Sequence, residues 1–152
     1  MFRSSARVAA VAAMLAVSSL GSIAIASGVA SASAPKASCT SGTLTTTGGG
    51  TIKGCTPTAA TGGSGKIVAS IAKKTGVITW NKTGTTLFKY TEKTVTNTKC
   101  TPKTDTEISE TATVTGGTGA AVKTIAKGQV STTLICLAGT KISLVKGEKY
   151  QI

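Results

Sequence analysis

The stretch KIVASIAKKTGVITWNKTGTTLFKYT, residues 66–91, decides the fold class of this chain. It contains the only tryptophan, Trp80, together with Phe88 and Tyr90. β-Branched and aromatic residues flank the turn signal Asn81-Lys82-Thr83-Gly84. A short loop that ends on glycine between two such runs is typical of a β-hairpin.

A four-residue loop at 81–84 also predicts the register of this hairpin. The implied cross-strand pairs are Trp80–Thr85, Ile78–Leu87 and Val77–Phe88. Both faces of the hairpin are then partly apolar, which suits a strand pair inside a sandwich better than one at its rim. A second turn signal at 73–76 follows another apolar run, so residues 66–91 predict a three-stranded meander.

The remaining chain repeats this pattern of short strands and glycine-rich turns. Threonine and glycine are abundant, and both are poor helix residues, while threonine suits a half-buried pleated surface. The sequence therefore predicts an all-β fold, a two-sheet antiparallel sandwich of Greek-key or immunoglobulin-like type with eight or nine strands. Residues 33–65 are expected to form an N-terminal edge strand and loops, and residues 66–152 the remainder of the same domain. Residues 92–105 are expected to cross to the second sheet, and residues 116–119 to form a turn.

The N-terminus has the features of a secretory signal peptide, residues 1–32. Arg3 and Arg7 precede an uncharged apolar stretch, and Ala30-Ser31-Ala32 supplies a small-x-small cleavage site. An uncleaved membrane anchor is the competing interpretation, because the apolar stretch is just long enough to span a bilayer. Its weak, alanine-rich hydrophobicity favours cleavage after Ala32, which leaves one secreted domain that we expect to be a monomer.

Four cysteines remain in the mature chain, at Cys39, Cys55, Cys100 and Cys136. An even number in an exported protein indicates two disulfides, for which three connectivities exist. The pairs Cys39–Cys55 and Cys100–Cys136 are favoured, because each would link strands that are close in sequence. The chain has no histidine and no CxxC spacing, so we expect no metal site and no cofactor.

The composition also restricts the catalytic possibilities. Without histidine, the Ser-His-Asp and Cys-His arrangements are excluded. Glu107 and Glu110 are the best carboxylate pair for a glycosidase, but three residues apart on a strand they point to opposite faces. A Ser-Lys dyad is not excluded by composition. We therefore assign no catalytic residue and expect no enzyme, with a hydrolase as the weakest alternative.

Charge is the strongest functional signal. Removing Arg3 and Arg7 leaves 15 lysines against five acidic residues, a net charge of +10. Such a charge attracts anionic partners, here a cell-envelope polymer or a membrane surface. Lys73 and Lys74 are the only adjacent lysines and are the candidate anion contacts. Nucleic acid is disfavoured, because the mature chain lacks arginine and has few aromatic residues.

These observations lead to one expected function and two alternatives to it. We expect a non-catalytic, secreted or cell-wall-associated basic β-domain that binds anionic surface polymers. A small-molecule carrier is the first alternative, with Trp80, Phe88 and Tyr90 lining a crevice between two sheets. In a third interpretation the lysines bind nothing and only prevent aggregation at strand edges.

The chain also resembles a group of small exported actinobacterial proteins. The resemblance rests on TVTGGTGAAVKTIAKGQVSTTLICLAGTKISLVKGEKYQI, residues 113–152, and on the runs GGSGKIVASIA and TGVITWNKTGTT. It implies a secreted, Thr/Gly/Lys-rich β-sandwich with two disulfides, and no activity. The size, export signal and bridges are also similar to those of the neocarzinostatin-type chromophore carriers. Those proteins are acidic and their bridges close short loops, so the basic charge and wide cysteine spacing argue against that likeness.

Overall fold

The computed structural model describes residues 37–152, so the predicted signal peptide and its cleavage site lie outside the described residues. Nine strands and two short helices make up this part of the chain, and none of its helices is long and apolar enough to cross a membrane. In chain order the elements are β1 Ser38–Thr45, β2 Gly49–Thr56, α1 Thr58–Thr61, β3 Ser64–Ser70, β4 Thr75–Trp80, β5 Gly84–Val95, β6 Thr106–Gly119, α2 Ala121–Thr124, β7 Val130–Ala138, β8 Lys141–Leu144 and β9 Tyr150–Gln151.

The first eight strands form a closed antiparallel barrel. Each strand pairs with the next one in sequence, and β1 pairs with β2 along one edge and β8 along the other. Leu44 of β1, for example, lies opposite both Gly50 and Ile142. The predicted two-sheet sandwich is therefore wrong, and so is the predicted edge strand within residues 33–65. Sandwiches and barrels share the same hairpins and the same alternation along each strand, and the pairing of β1 with β8 distinguishes the barrel.

The β3–β4–β5 meander is confirmed, but its predicted register is wrong by one residue. Trp80 pairs with Gly84 rather than with Thr85, because the loop contains three residues, 81–83, and not four. Lys82 adopts the left-handed conformation in this loop, with φ of 63°. Gly84 belongs to β5, where a Cβ atom would collide with the carbonyl oxygen of Thr118 on β6.

The observed register separates the apolar residues of the hairpin into two sets. Ile78 and Phe88 are buried inside the barrel, whereas Val77 and Leu87 pair with each other on the outer surface. Successive side chains of a strand point to opposite faces of the sheet, so a one-residue change in the pairing register moves every side chain of that strand to the other face. The register therefore decides which apolar residues remain outside.

Large side chains fill the barrel interior, and strand glycines make room for them. Gly65 lies directly opposite Trp80, and a Cβ atom at Gly65 would lie 2.9 Å from the Trp80 ring. Gly76 faces the Phe88 ring in the same way on the next strand pair. Other large buried residues of this core are Ile52, Ile67, Tyr90, Val114, Ile125, Tyr150 and Ile152. A narrow barrel accommodates the Trp80 and Phe88 rings because the positions opposite them lack side chains.

The two ends of the barrel differ. The β2–β3, β4–β5 and β6–β7 connections share one end, where α1 and α2 contact each other. Their buried residues Ala60, Ala121 and Ile125 close this end. The β3–β4 turn and the other hairpin connections lie at the opposite end, which carries no helix. We call these the helix end and the open end.

Both predicted disulfides are confirmed. Cys39–Cys55 joins directly paired residues of β1 and β2. Cys100–Cys136 ties residues 96–105, the covering loop, to the outer face of β7. Cys100 and Cys136 pack there with Val145 and Leu134, a group that we call the outer cluster.

The predicted crossing of residues 92–105 to a second sheet is wrong, because this loop connects adjacent strands β5 and β6. The predicted turn at 116–119 is also wrong, because these residues continue β6.

Candidate functional site

Three lysines lie on the outer surface of β2, β3 and the turn after β4. Lys66 of β3 lies between Thr51 and Thr79 on the neighbouring strands, and Lys53 of β2 faces Ser64. The three lysines Lys53, Lys66 and Lys82 are exposed and line a groove of about 410 Å³. We call this groove, with its threonine and serine neighbours, the basic surface.

The basic surface lies in a part of the chain that has no acidic residue. Between residues 37 and 91 the sequence contains no Asp or Glu and six lysines, namely Lys53, Lys66, Lys73, Lys74, Lys82 and Lys89. Within residues 37–152 the only ion pairs join Lys74 to Glu92 and Lys99 to Glu148. The lysines of the basic surface therefore have no local counter-charge, and they give this side of the barrel a positive potential.

The two adjacent lysines that the sequence singled out lie in different environments. Both are in the β3–β4 turn at the open end. The Lys74 ammonium donates a hydrogen bond to Glu92 and lies 5.3 Å from the centre of the Tyr90 ring. This bond to Glu92 raises the pKa of Lys74. Lys73 is exposed. Anion contact at Lys73 and Lys74 stays a prediction.

The three rings proposed to line a crevice all lie in the barrel interior. Trp80 is 2% exposed, and Phe88 and Tyr90 are similarly buried. The Trp80 Nε1–H donates to the hydroxyl of Thr86 at 2.8 Å, and the centroids of Phe88 and Tyr90 are 6.1 Å apart. Because one closed sheet has no space between sheets, the inter-sheet crevice does not exist in this fold.

A small cavity of about 30 Å³ lies inside the open end. Glu110, Glu92, Tyr90 and Tyr150 line it together with apolar side chains. Burial, with the nearby Glu92 charge, raises the pKa of Glu110 to about 7, and Lys74 partly opposes this shift. The buried Tyr90 hydroxyl has no hydrogen-bond partner among the described residues. A cavity that binds a molecule as small as benzene has a volume of about 150 Å³, so this one is too small for an organic ligand.

Glu107 lies outside the barrel wall, beneath the covering loop. It is 2% exposed, and its carboxylate accepts the backbone N–H groups of Thr98 at 2.9 Å and Lys99 at 2.8 Å. The Lys99 N–H in particular lowers the pKa of Glu107, although burial opposes this effect. Glu107 and Glu110 therefore lie on opposite faces of β6, as the strand geometry predicts, and they share no space in which a substrate could bind.

Sequence reasoning missed the basic surface because its lysines are dispersed along the chain. Lys53, Lys66 and Lys82 belong to three separate elements, and the strand pairing brings them together. The available signal was the absence of acidic residues from 37 to 91, which the overall net charge does not reveal. Within residues 37–152, no group of three or more His, Cys, Asp or Glu side chains could hold a metal ion.

Comparisons of the chain with protein-family models, with curated proteins and with solved structures found no match. The likeness to small exported actinobacterial proteins accordingly stays a prediction.

Proposed function

We propose that this protein is a secreted, non-catalytic β-barrel domain that binds anionic polymers of the cell envelope through its basic surface. The observation that carries the proposal is the convergence of Lys53, Lys66 and Lys82 on one outer face without any acidic residue from 37 to 91. Two disulfides support the secreted location, because such bonds persist in oxidising compartments.

The chemistry of the surface suits a repeating anion. Lysine ammonium groups bind phosphate or carboxylate oxygens as point charges, and they do so in many orientations. Outward hydroxyls surround them, for example Thr43 and Thr51, whose oxygens are 3.2 Å apart. These hydroxyls can donate additional hydrogen bonds to anionic oxygens or to sugars. A polymer with charges at intervals could therefore contact several lysines along the groove.

The proposal predicts that neutralising the basic surface weakens binding more than an equal change elsewhere. The test compares K53Q/K66Q/K82Q with K127Q/K146Q/K149Q, two variants that lose the same net charge. The control lysines are exposed, lie after β6 and form no ion pair within the described chain. Retention is measured on isolated cell envelope and on phosphocellulose across a salt series.

We expect K53Q/K66Q/K82Q to bind about tenfold more weakly at low salt, and the control triple to stay close to the wild type. Wild-type retention should decrease as salt increases, since exposed charges are screened. Equal losses in the two triples would show that net charge alone drives binding and would overturn the role of this surface. Adding K73Q to each triple tests the exposed member of the adjacent lysine pair.

A further inference from the structure

A row of apolar side chains crosses the outer wall beside the basic surface. Val68 of β3 pairs with Val77 of β4, which pairs with Leu87 of β5. Val68 is 58% exposed and Leu87 is 42% exposed. These three residues, which we call the apolar row, line a groove of about 450 Å³. Side chains of this size are normal singly on a protein surface, whereas these three lie side by side on three neighbouring strands.

The flanks of the apolar row carry positive charge. One step along the strands on the same face lies Lys66, opposite Thr79, and one step in the other direction lies Lys89, opposite Thr75. Lysine side chains place an apolar stem along such a row while the ammonium reaches outward. Neither Lys66 nor Lys89 forms an ion pair within the described chain, and Glu92, the first acidic residue of β5, is bound to Lys74.

The geometry points to an anionic lipid bilayer as the partner of the apolar row. Headgroups of anionic lipids would contact Lys66 and Lys89, while Val68, Val77 and Leu87 enter the boundary between headgroups and acyl chains. An anionic bilayer supplies both an apolar medium and negative charge, and these are the two properties that the row and its flanks match.

The fold disfavours the other occupants. A peptide cannot add as a strand, because β3, β4 and β5 are each paired on both sides. A second copy of the chain would bring the same lysine flanks together in a symmetric contact, which repulsion between like charges disfavours. The inference shares Lys66 with the proposed function and otherwise stands on different residues, so the two can fail separately.

The test measures co-sedimentation of the mature protein with vesicles of phosphatidylcholine mixed with phosphatidylglycerol, and with vesicles of phosphatidylcholine alone. The informative variant is V68T/L87T, since threonine keeps the strand preference and removes apolar surface. The control is V122T, an apolar position on α2 at the helix end that is 38% exposed. Circular dichroism confirms that each variant is folded, and phosphocellulose retention is measured in parallel.

We expect the wild type to bind the vesicles that contain phosphatidylglycerol, and V68T/L87T to bind them roughly tenfold more weakly. V122T should bind as the wild type does, and phosphocellulose retention should be unchanged in V68T/L87T. Absence of wild-type vesicle binding, or equal binding of V68T/L87T, would overturn the inference. Either result leaves the proposal of polymer binding intact. That proposal fails if K53Q/K66Q/K82Q binds as K127Q/K146Q/K149Q does.

Discussion

Two regions of the barrel wall carry outward apolar residues, and the chain covers only one of them. On β7 the outer residues Leu134 and Cys136 pack beneath the covering loop, with Cys100 and Val145, in the outer cluster. On β3 to β5 the apolar row remains exposed. Apolar surface that a protein does not bury against itself is available for a partner. The apolar row, and not the outer cluster, is therefore the exposed apolar surface that we propose enters a bilayer.

The two regions also differ in the charged residues that they carry. All five acidic residues lie in the second half of the chain, at positions 92, 105, 107, 110 and 148. Glu107 binds the backbone of the covering loop, and Glu148 binds Lys99 of the same loop at 2.7 Å. In the covered region carboxylates hold the protein's own loop in place. In the exposed region Lys66 and Lys89, the two lysines that flank the apolar row, form no ion pair, which favours an external anion.

Removing the disulfide of the covered region should reduce the stability of the protein more than any of the other changes. In the chain-entropy model, C100S/C136S lowers the free energy of unfolding by about 4 kcal/mol, because it releases a long loop. Removal of the cover should also expose Leu134 and Val145 to a dye that binds apolar surface. The measurements are denaturant unfolding and dye fluorescence under native conditions.

C39S/C55S is the matched control for this experiment. It should lower stability by about 3 kcal/mol, since the loop is shorter, without increasing dye fluorescence. β1 and β2 remain paired without the bridge because they are adjacent strands of the sheet. Unchanged dye fluorescence in C100S/C136S would show that the outer cluster is covered without the help of the disulfide.

The two glutamates of β6 allow the barrel interior to be compared with the covered face, because Glu110 lies inside the barrel and Glu107 lies beneath the covering loop. Because the pKa of Glu110 is about 7 in the folded protein and about 4.5 in the unfolded chain, the folded state binds more protons between these pH values. Stability should therefore fall as pH increases from about 4.5 to about 7. E110Q should raise the free energy of unfolding by about 3 kcal/mol at pH 8 and leave it nearly unchanged at pH 4.

Denaturant unfolding at the two pH values checks this prediction. A similar gain for E110Q at pH 4 and pH 8 would show that packing of the amide, rather than removal of a buried charge, is responsible. A loss at pH 8 would show that the Glu110 carboxylate has a partner that stabilises its charged form.

Glu107 should give a smaller, local effect of opposite sign. The pKa of this carboxylate is lowered in the folded protein, so its stabilising contribution is present above the unfolded pKa and is lost as pH falls through the folded value. E107Q should speed hydrogen exchange at the Thr98 and Lys99 amides while the strands of the barrel stay protected. Vesicle binding through the apolar row should not change. Exchange that accelerates throughout β6 would show that Glu107 supports the barrel and not the loop alone.

Local patterns in the sequence predicted much of the fold. The all-β class, the β3–β4–β5 meander and both disulfide pairs follow from alternation, turn signals and cysteine spacing. Several glycines predicted turns at positions where they instead lie within strands. Gly116 and Gly117 continue β6, and Gly65 and Gly76 lie in strands beneath aromatic rings. A local pattern cannot show which ring lies opposite a glycine, because that depends on the register of another strand.

The sequence by itself determined the β-strands, the two disulfides and the excess of lysine, because each depends on residue type and short-range spacing. Only the tertiary structure decided that the strands close into a barrel. Closure depends on the pairing of β1 with β8, two strands that are far apart in the sequence. The same closure decided which lysines share a face and which apolar row stays open. Hydrogen bonds between distant strands bring those residues together, and no local pattern encodes them.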